Sequence, residues 1–139
     1  MTTSLSRRSF IGLALAGLLS LPGVPALAAD YPVTEYTPEA VAAARASGKP
    51  FLLDFFAPWC TTCRAQERVI SGLLQNNPAY REIQIIRVDW DTNRTGPLVA
   101  ELQIPRRSTL VVMQGTVELG RIVADTREAN IAALLDLAI

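Results

Sequence analysis

Phe51-Leu52-Leu53-Asp54-Phe55-Phe56-Ala57-Pro58-Trp59-Cys60-Thr61-Thr62-Cys63-Arg64 is the stretch on which the fold of this chain turns. From Phe51 to Ala57 every residue but Asp54 is apolar, with no alternation of polar and apolar positions. Such a run is a strand covered on both faces, the habit of parallel sheets. Pro58-Trp59 ends it, and a helix starts near Cys60. Ala65, Val69, Ile70, Leu73 and Leu74 keep helical spacing until Asn76-Asn77-Pro78 stops the helix. Ile83 to Asp89 is a second strand, with isoleucine or valine on both faces. Strand, helix and strand in that order make a right-handed βαβ unit.

Outward from this unit the signals stay consistent. A first strand is expected around Val33–Tyr36. Thr37-Pro38-Glu39 offers a capping hydroxyl, a proline at the first helical position and an early acid, so a helix should run to about Ser47 and stop at Gly48-Lys49-Pro50. Pro97 to Leu102 reads as a short helix. Thr109–Met113 and Val117–Val123 read as strands joined by a hairpin at Gln114-Gly115-Thr116. Asp125-Thr126-Arg127-Glu128 resembles a capped helix start, with Ile131, Leu134, Leu135 and Ala138 as the buried stripe. The expected fold class is α/β, a mixed central sheet with helices on both faces.

Residues 1–28 read differently. Met1 to Arg8 holds no acid and ends in Arg7-Arg8; an apolar run follows from Phe10 to Leu21, then Ala26-Leu27-Ala28. That order is a cleavable secretory signal peptide. Ser6-Arg7-Arg8-Ser9-Phe10-Ile11 resembles the twin-arginine signal. A retained anchor is the alternative, but the run is short of the roughly 20 residues that span a bilayer. The expected product is a periplasmic (exported) domain over residues 29–139, not membrane-embedded after cleavage and monomeric. Its 11 basic and 13 acidic residues suit neither nucleic acid nor an anionic membrane. The chain has no histidine, which excludes imidazole bases, histidine metal ligands and a cysteine–histidine catalytic pair.

Cys60 and Cys63, the two cysteines, stand where a central strand hands over to a helix. Helix-start amides and the helix dipole favour a thiolate at Cys60, and the thiolate is the species that attacks a disulfide. Cys63, nearly a turn along, reaches the mixed disulfide and releases the product. Cys60 is therefore expected to be the exposed nucleophile and Cys63 the more buried resolver. Two bland readings compete. A structural disulfide closing so short a loop would remove little unfolded-state entropy. A zinc site usually needs four protein ligands, and this chain has no histidine and no second cysteine pair. A Cys-x-x-Cys near a βαβ pattern favours redox chemistry. Asp54, in an apolar strand, needs a partner or a raised pKa.

The segment Asp54-Phe55-Phe56-Ala57-Pro58-Trp59-Cys60-Thr61-Thr62-Cys63-Arg64 resembles the active-site segment of thioredoxin-fold proteins, and the resemblance extends over about residues 33–139. The Cys-x-x-Cys-Arg-x-x-Glu run and Asp89-Trp90-Asp91 are most similar to the periplasmic thioredoxin-like domain of DsbD-type interchange proteins. The resemblance implies a thiol–disulfide oxidoreductase without cofactor, acting on protein thiols and disulfides. It also implies a general acid–base role for Asp54 toward Cys63, with Arg87 as the counter-charge of Asp54. Trp59 would cover the cysteines and shape the substrate surface, although ordinary packing explains it equally well. Trp90 and Arg106-Arg107 read more simply as solvated loop.

One departure stands out. Where the family places a cis-proline facing the site, alignment on Ile104 and Thr109-Leu110 puts Ser108. A cis bond before serine costs about 3–4 kcal/mol, against about 0.5–1 before proline, so the loop is either strained or trans. That loop pairs with the substrate chain in the family, which makes Arg107 and Ser108 substrate-binding candidates. Arg107 is expected near Cys60, lowering its pKa. Without the proline ring, the cysteines could also take a metal or iron–sulfur cluster, which is the alternative function. The Thr61-Thr62 pair lacks the histidine of strong oxidants, pointing to a reductase or electron carrier fed by a membrane electron donor.

Overall fold

Thr37 opens the first helix as its hydroxyl allows. Its Oγ1 accepts the Ala40 N–H at 3.0 Å, and Pro38 takes the first helical position. This helix, α1, spans Pro38–Ala46, and Gly48 turns the chain away at φ +70°. The computed structural model describes residues 31–139. The signal peptide expected over residues 1–28 lies outside the described residues.

The other strands and α-helices follow in order: β1 (Thr34–Glu35) before α1, then β2 (Pro50–Phe56), α2 (Thr61–Asn76), β3 (Gln84–Asp89), α3 (Trp90–Asn93), α4 (Pro97–Glu101), β4 (Thr109–Gln114), β5 (Val117–Val123) and α5 (Glu128–Leu135), with 3-10 turns at Pro78–Glu82 and Asp136–Ala138. One five-stranded sheet has the order β1-β3-β2-β4-β5. β3 pairs in parallel with β1 and β2, while β2–β4 and β4–β5 are antiparallel. The mixed sheet with helices on both faces is as expected. β4 reaches one residue further than the sequence suggests, so the hairpin turn is Gly115-Thr116, with Gly115 at φ +58°.

The sheet separates two apolar layers. Leu52, Ile85, Leu110 and Val112 pack with Ile70 and Leu74 of α2 and Ile131 and Leu135 of α5. Phe51, Leu53, Phe55, Ile86 and Val88 pack on the other side with Val41 of α1 and Leu98 and Val99 of α4. Each fully buried side chain of this kind stabilises by about 1.5–3 kcal/mol. β2 is central in order and buried on both faces, and its C-terminal end delivers the chain to the cysteines.

Two local expectations need correction. Trp90 is no solvated loop residue. It begins the turn of helix α3, capped by Asp89, whose Oδ2 accepts the Thr92 N–H at 3.0 Å, and it packs partly buried against the α1 and α4 layer and against the cluster of Phe56, Ala57 and the two cysteines. Asp125 does not sit at the α5 cap either, a position held by Arg127 without a side-chain bond. Its carboxylate instead accepts the Arg127 N–H at 2.9 Å and the Asn130 amide at 2.5 Å, bracing the turn from one step outside.

Candidate active site

Cys60 has extended backbone angles (φ −84°, ψ 112°) and caps α2 with sulfur, its Sγ accepting the Cys63 N–H at 3.2 Å. Cys63 opens the buried stripe of that helix, followed by Gln66, Ile70 and Leu74. Both cysteines are unbonded thiols. Cys60 is only 4% exposed and Cys63 1%, so the expectation of an exposed nucleophile is corrected. The loop before β4 and the residues Phe56, Ala57 and Trp90 close around both sulfurs.

Ser108 faces them from that loop. Its Oγ lies 3.1 Å from Cys60 Sγ and 3.1 Å from Cys63 Sγ. No peptide bond among the described residues is cis, so the Arg107–Ser108 bond is trans, and the residue reaches its place with φ +61°. Three bonds hold that backbone: the Ser108 N–H donates to Phe55 O at 2.8 Å, and the Ser108 carbonyl accepts the Ala124 N–H at 2.8 Å and Gln66 Nε2 at 3.1 Å.

Burial alone would push the Cys60 thiol up. Hydrogen bonds from Cys63 and Ser108 outweigh it, with a smaller contribution from Arg107, and bring Cys60 down to about 7. Cys63 moves the other way, raised first by burial and then by its partner sulfur. The pair therefore carries its first negative charge on Cys60, and at neutral pH a thiolate and a protonated thiol stand side by side.

Trp59 is held at the surface by two neighbours. It is 56% exposed, its Nε1 donates to Asp91 Oδ2 at 2.7 Å, and the Arg107 guanidinium lies 4.4 Å above its ring. Arg107 thus stacks on the exposed tryptophan while contributing to the lowered Cys60 pKa.

Asp54 and Arg87 are register partners on β2 and β3, and their side chains share the face under α2. Arg87 donates from Nε and Nη2 to Asp54 Oδ2 at 3.1 and 3.0 Å, while its Nη1 lies 2.9 Å from Glu67 Oε1. Burial raises the Asp54 carboxyl to about 6, against the opposing pull of Arg87. Its hydrogen-bond partner is Arg87, not Cys63. Tyr31 completes the buried group with a hydroxyl that has no hydrogen-bond partner among the described residues. Sequence reasoning gave no role to Gln66, Glu67, Tyr31 or Asp91. Of these, Glu67 in the Cys-x-x-Cys-Arg-x-x-Glu run and Asp91 in Asp89-Trp90-Asp91 carried a signal, as parts of the resemblance; Gln66 and Tyr31 carried none. The side chains able to contribute to a metal or cluster are the two sulfurs, with Ser108 Oγ between them. Among the described residues no group of three or more His, Cys, Asp or Glu gathers, so further ligands would come from another molecule.

A cysteine pair capping the helix that follows the central strand of such a sheet defines a thioredoxin-like thiol–disulfide oxidoreductase. The thioredoxin family model matches residues 33–136, and the chain belongs to that family. It is 36% identical over 50 residues to the thiol:disulfide interchange protein DsbD of Pseudomonas fluorescens, a match covering 36% of this chain and 9% of that protein. Thioredoxin 1 of a Nostoc species is 29% identical, over 65% of this chain and 80% of its own length. The crystal structure of Trxlp from Edwardsiella tarda superposes with a TM-score of 0.64 at 31% identity, covering 77% of this chain and 98% of that one. The chain thus matches full-length thioredoxin-sized proteins but only a small fraction of DsbD.

Proposed function

We propose that this chain is an exported reductase or electron carrier that exchanges electrons with protein disulfides and is recharged by a membrane donor. Cys60 attacks as thiolate and Cys63 resolves. Asp54 is assigned as the acid–base group for Cys63, with Arg87 as its counter-charge. Trp59 and Arg107 form the substrate-facing rim, and Ser108, buried behind it, is assigned to substrate binding through the loop that carries it. The observation that carries this reading is the N-cap sulfur: Cys60 Sγ accepts hydrogen bonds at the start of α2 and ionises near pH 7 beside a protonated Cys63. The apolar leader with its arginine pair supports export, and the partial likeness to DsbD supports a membrane donor. No helix among the described residues is long and apolar enough to cross a membrane.

Trapping in the native cell with Cys63→Ser tests the reading. Mixed disulfides with exported proteins and with a membrane oxidoreductase are expected, alongside a reduction potential nearer thioredoxin (about −270 mV) than strong oxidants (about −120 mV). An absence of mixed disulfides, or a strongly oxidising potential, sinks it.

A further inference from the structure

Ser108 is the one side chain among the described residues that hydrogen-bonds to both sulfurs, at 3.1 Å each. It is fully buried, and it is held at φ +61°, a conformation that costs a non-glycine residue roughly 1–2 kcal/mol. Its N–H donating to Phe55 O, and its carbonyl accepting from the Ala124 N–H and the Gln66 side-chain amide, maintain it. Glycine would adopt this conformation freely, but only a side chain puts an oxygen between the sulfurs. A hydroxyl has one proton to donate and lone pairs to accept with, and it rotates to suit its partners.

We propose that Ser108 Oγ is a switching donor that activates the two cysteines in turn; this rests on the exchange reading above. At rest its O–H points at the Cys60 thiolate and its lone pair accepts the Cys63 S–H. Cys60 attacks a substrate disulfide, forming the Cys60–substrate S–S bond and expelling one substrate thiolate, which takes a proton from solvent. Cys60 is now uncharged and a weak acceptor, so the hydroxyl turns to Cys63 as that thiol gives its proton to Asp54, the acid–base group assigned above, which returns it to solvent. The Cys63 thiolate attacks Cys60 Sγ, the Cys60–Cys63 bond forms, and the Cys60–substrate bond breaks. Its electron pair leaves on the second substrate sulfur, which is protonated from solvent. Two electrons pass from the dithiol to the substrate. Arg107 on the same loop and Arg87 beneath are fixed positive charges, Asp54 and Glu67 lie beside Arg87, and the switch leaves all four side chains in place.

Titration of thiolate ultraviolet absorbance in single-thiol proteins tests this. In Cys63→Ala, adding Ser108→Ala should weaken Cys60 ionisation about tenfold, and in Cys60→Ala it should weaken Cys63 ionisation about as much. Ser108→Thr, which restores a hydroxyl, should recover most of both. Should Ser108→Ala not fold, Ser108→Gly suits the backbone and makes the same comparison. A shift confined to Cys60, or no shift at either sulfur, overturns the switch. These titrations need no substrate. A protein that exchanges disulfides yet shows an indifferent Cys63 sinks only this inference, whereas one that never exchanges sinks the functional reading.

Discussion

Arg87 grips a single oxygen of Asp54 with two nitrogens, Nε at 3.1 Å and Nη2 at 3.0 Å, while its third nitrogen lies 2.9 Å from Glu67. One cation thus serves two carboxylates in a buried layer, and its guanidinium also lies 3.9 Å from the Phe56 ring centroid. Arg87 offsets part of the penalty on the Asp54 charge but not all of it. The carboxyl, raised by burial, titrates at about 6.

The first prediction concerns stability against pH. The folded pKa of Asp54 lies above its unfolded value of about 3.9, so between these values the folded state binds more protons than the unfolded one. Stability therefore falls as pH rises through that window, by about 2–3 kcal/mol from this residue. Denaturant unfolding from pH 4 to 8 should show this slope in wild type and lose it in Asp54→Asn. Subtracting the variant removes the opposite slope of Asp125, whose carboxyl is held below the usual range by its bonds to Arg127. Parallel curves for the two proteins would show that Asp54 titrates normally.

The second prediction concerns Glu67. Its charge helps raise Asp54, so Glu67→Gln should lower the Asp54 pKa while leaving Arg87 its other partner. If Asp54 takes the proton of Cys63, the same change should shift the resolving step to lower pH without moving the attack by Cys60. Stopped-flow measurement of the two thiol-release phases with an aromatic disulfide separates them. Equal shifts of both phases would assign Glu67 a general electrostatic effect instead.

How far these residues were legible in the sequence follows from what kind of signal each leaves. The apolar run of β2, the helical stripe from Val69 to Leu74 and the Thr37-Pro38 cap repeat a simple rule over many residues, and the structure obeys them. Trp90–Asn93 is a single turn, too short to show a period. Gln66 is polar on a helix and so reads as solvent-facing, yet it is 1% exposed because two distant carbonyls take its amide. The φ of Ser108 has no sequence signature, since serine rarely adopts it. The pairing of Asp54 with Arg87 was expected from resemblance, and the parallel register of β2 and β3 supplies its physical reason.

The third prediction concerns Arg107. Its guanidinium stacks on Trp59 and contributes to the lowered Cys60 pKa as the smallest of several causes. The side chain is partly exposed, which screens it. Arg107→Ala should therefore raise the midpoint of Cys60 alkylation against pH by a fraction of a unit, roughly 0.2–0.7. Loss of the stack should also alter Trp59 fluorescence, which Asp91→Ala should do without moving the Cys60 midpoint. An unchanged midpoint in Arg107→Ala would confine the arginine to a rim role.

The last prediction concerns Gln66, which ties the helix bearing the cysteines to the loop that faces them. Its Nε2 donates to Ser108 O at 3.1 Å and to Asp125 O at 3.0 Å, while its Oε1 is buried without a partner. Gln66→Leu removes both donated bonds and the unpaired oxygen together, so the two effects partly cancel. A net cost of about 1–2 kcal/mol, or roughly 5–10 °C in Tm, is expected. Gln66→Glu should cost more, because it sets a carboxylate against two carbonyl oxygens beside the buried Cys63. It should also raise the Cys63 pKa further, since a negative neighbour disfavours a second charge. Thermal unfolding with thiol titration of both variants checks the order. A Gln66→Glu variant as stable as wild type would mean that the amide donates nothing the fold depends on.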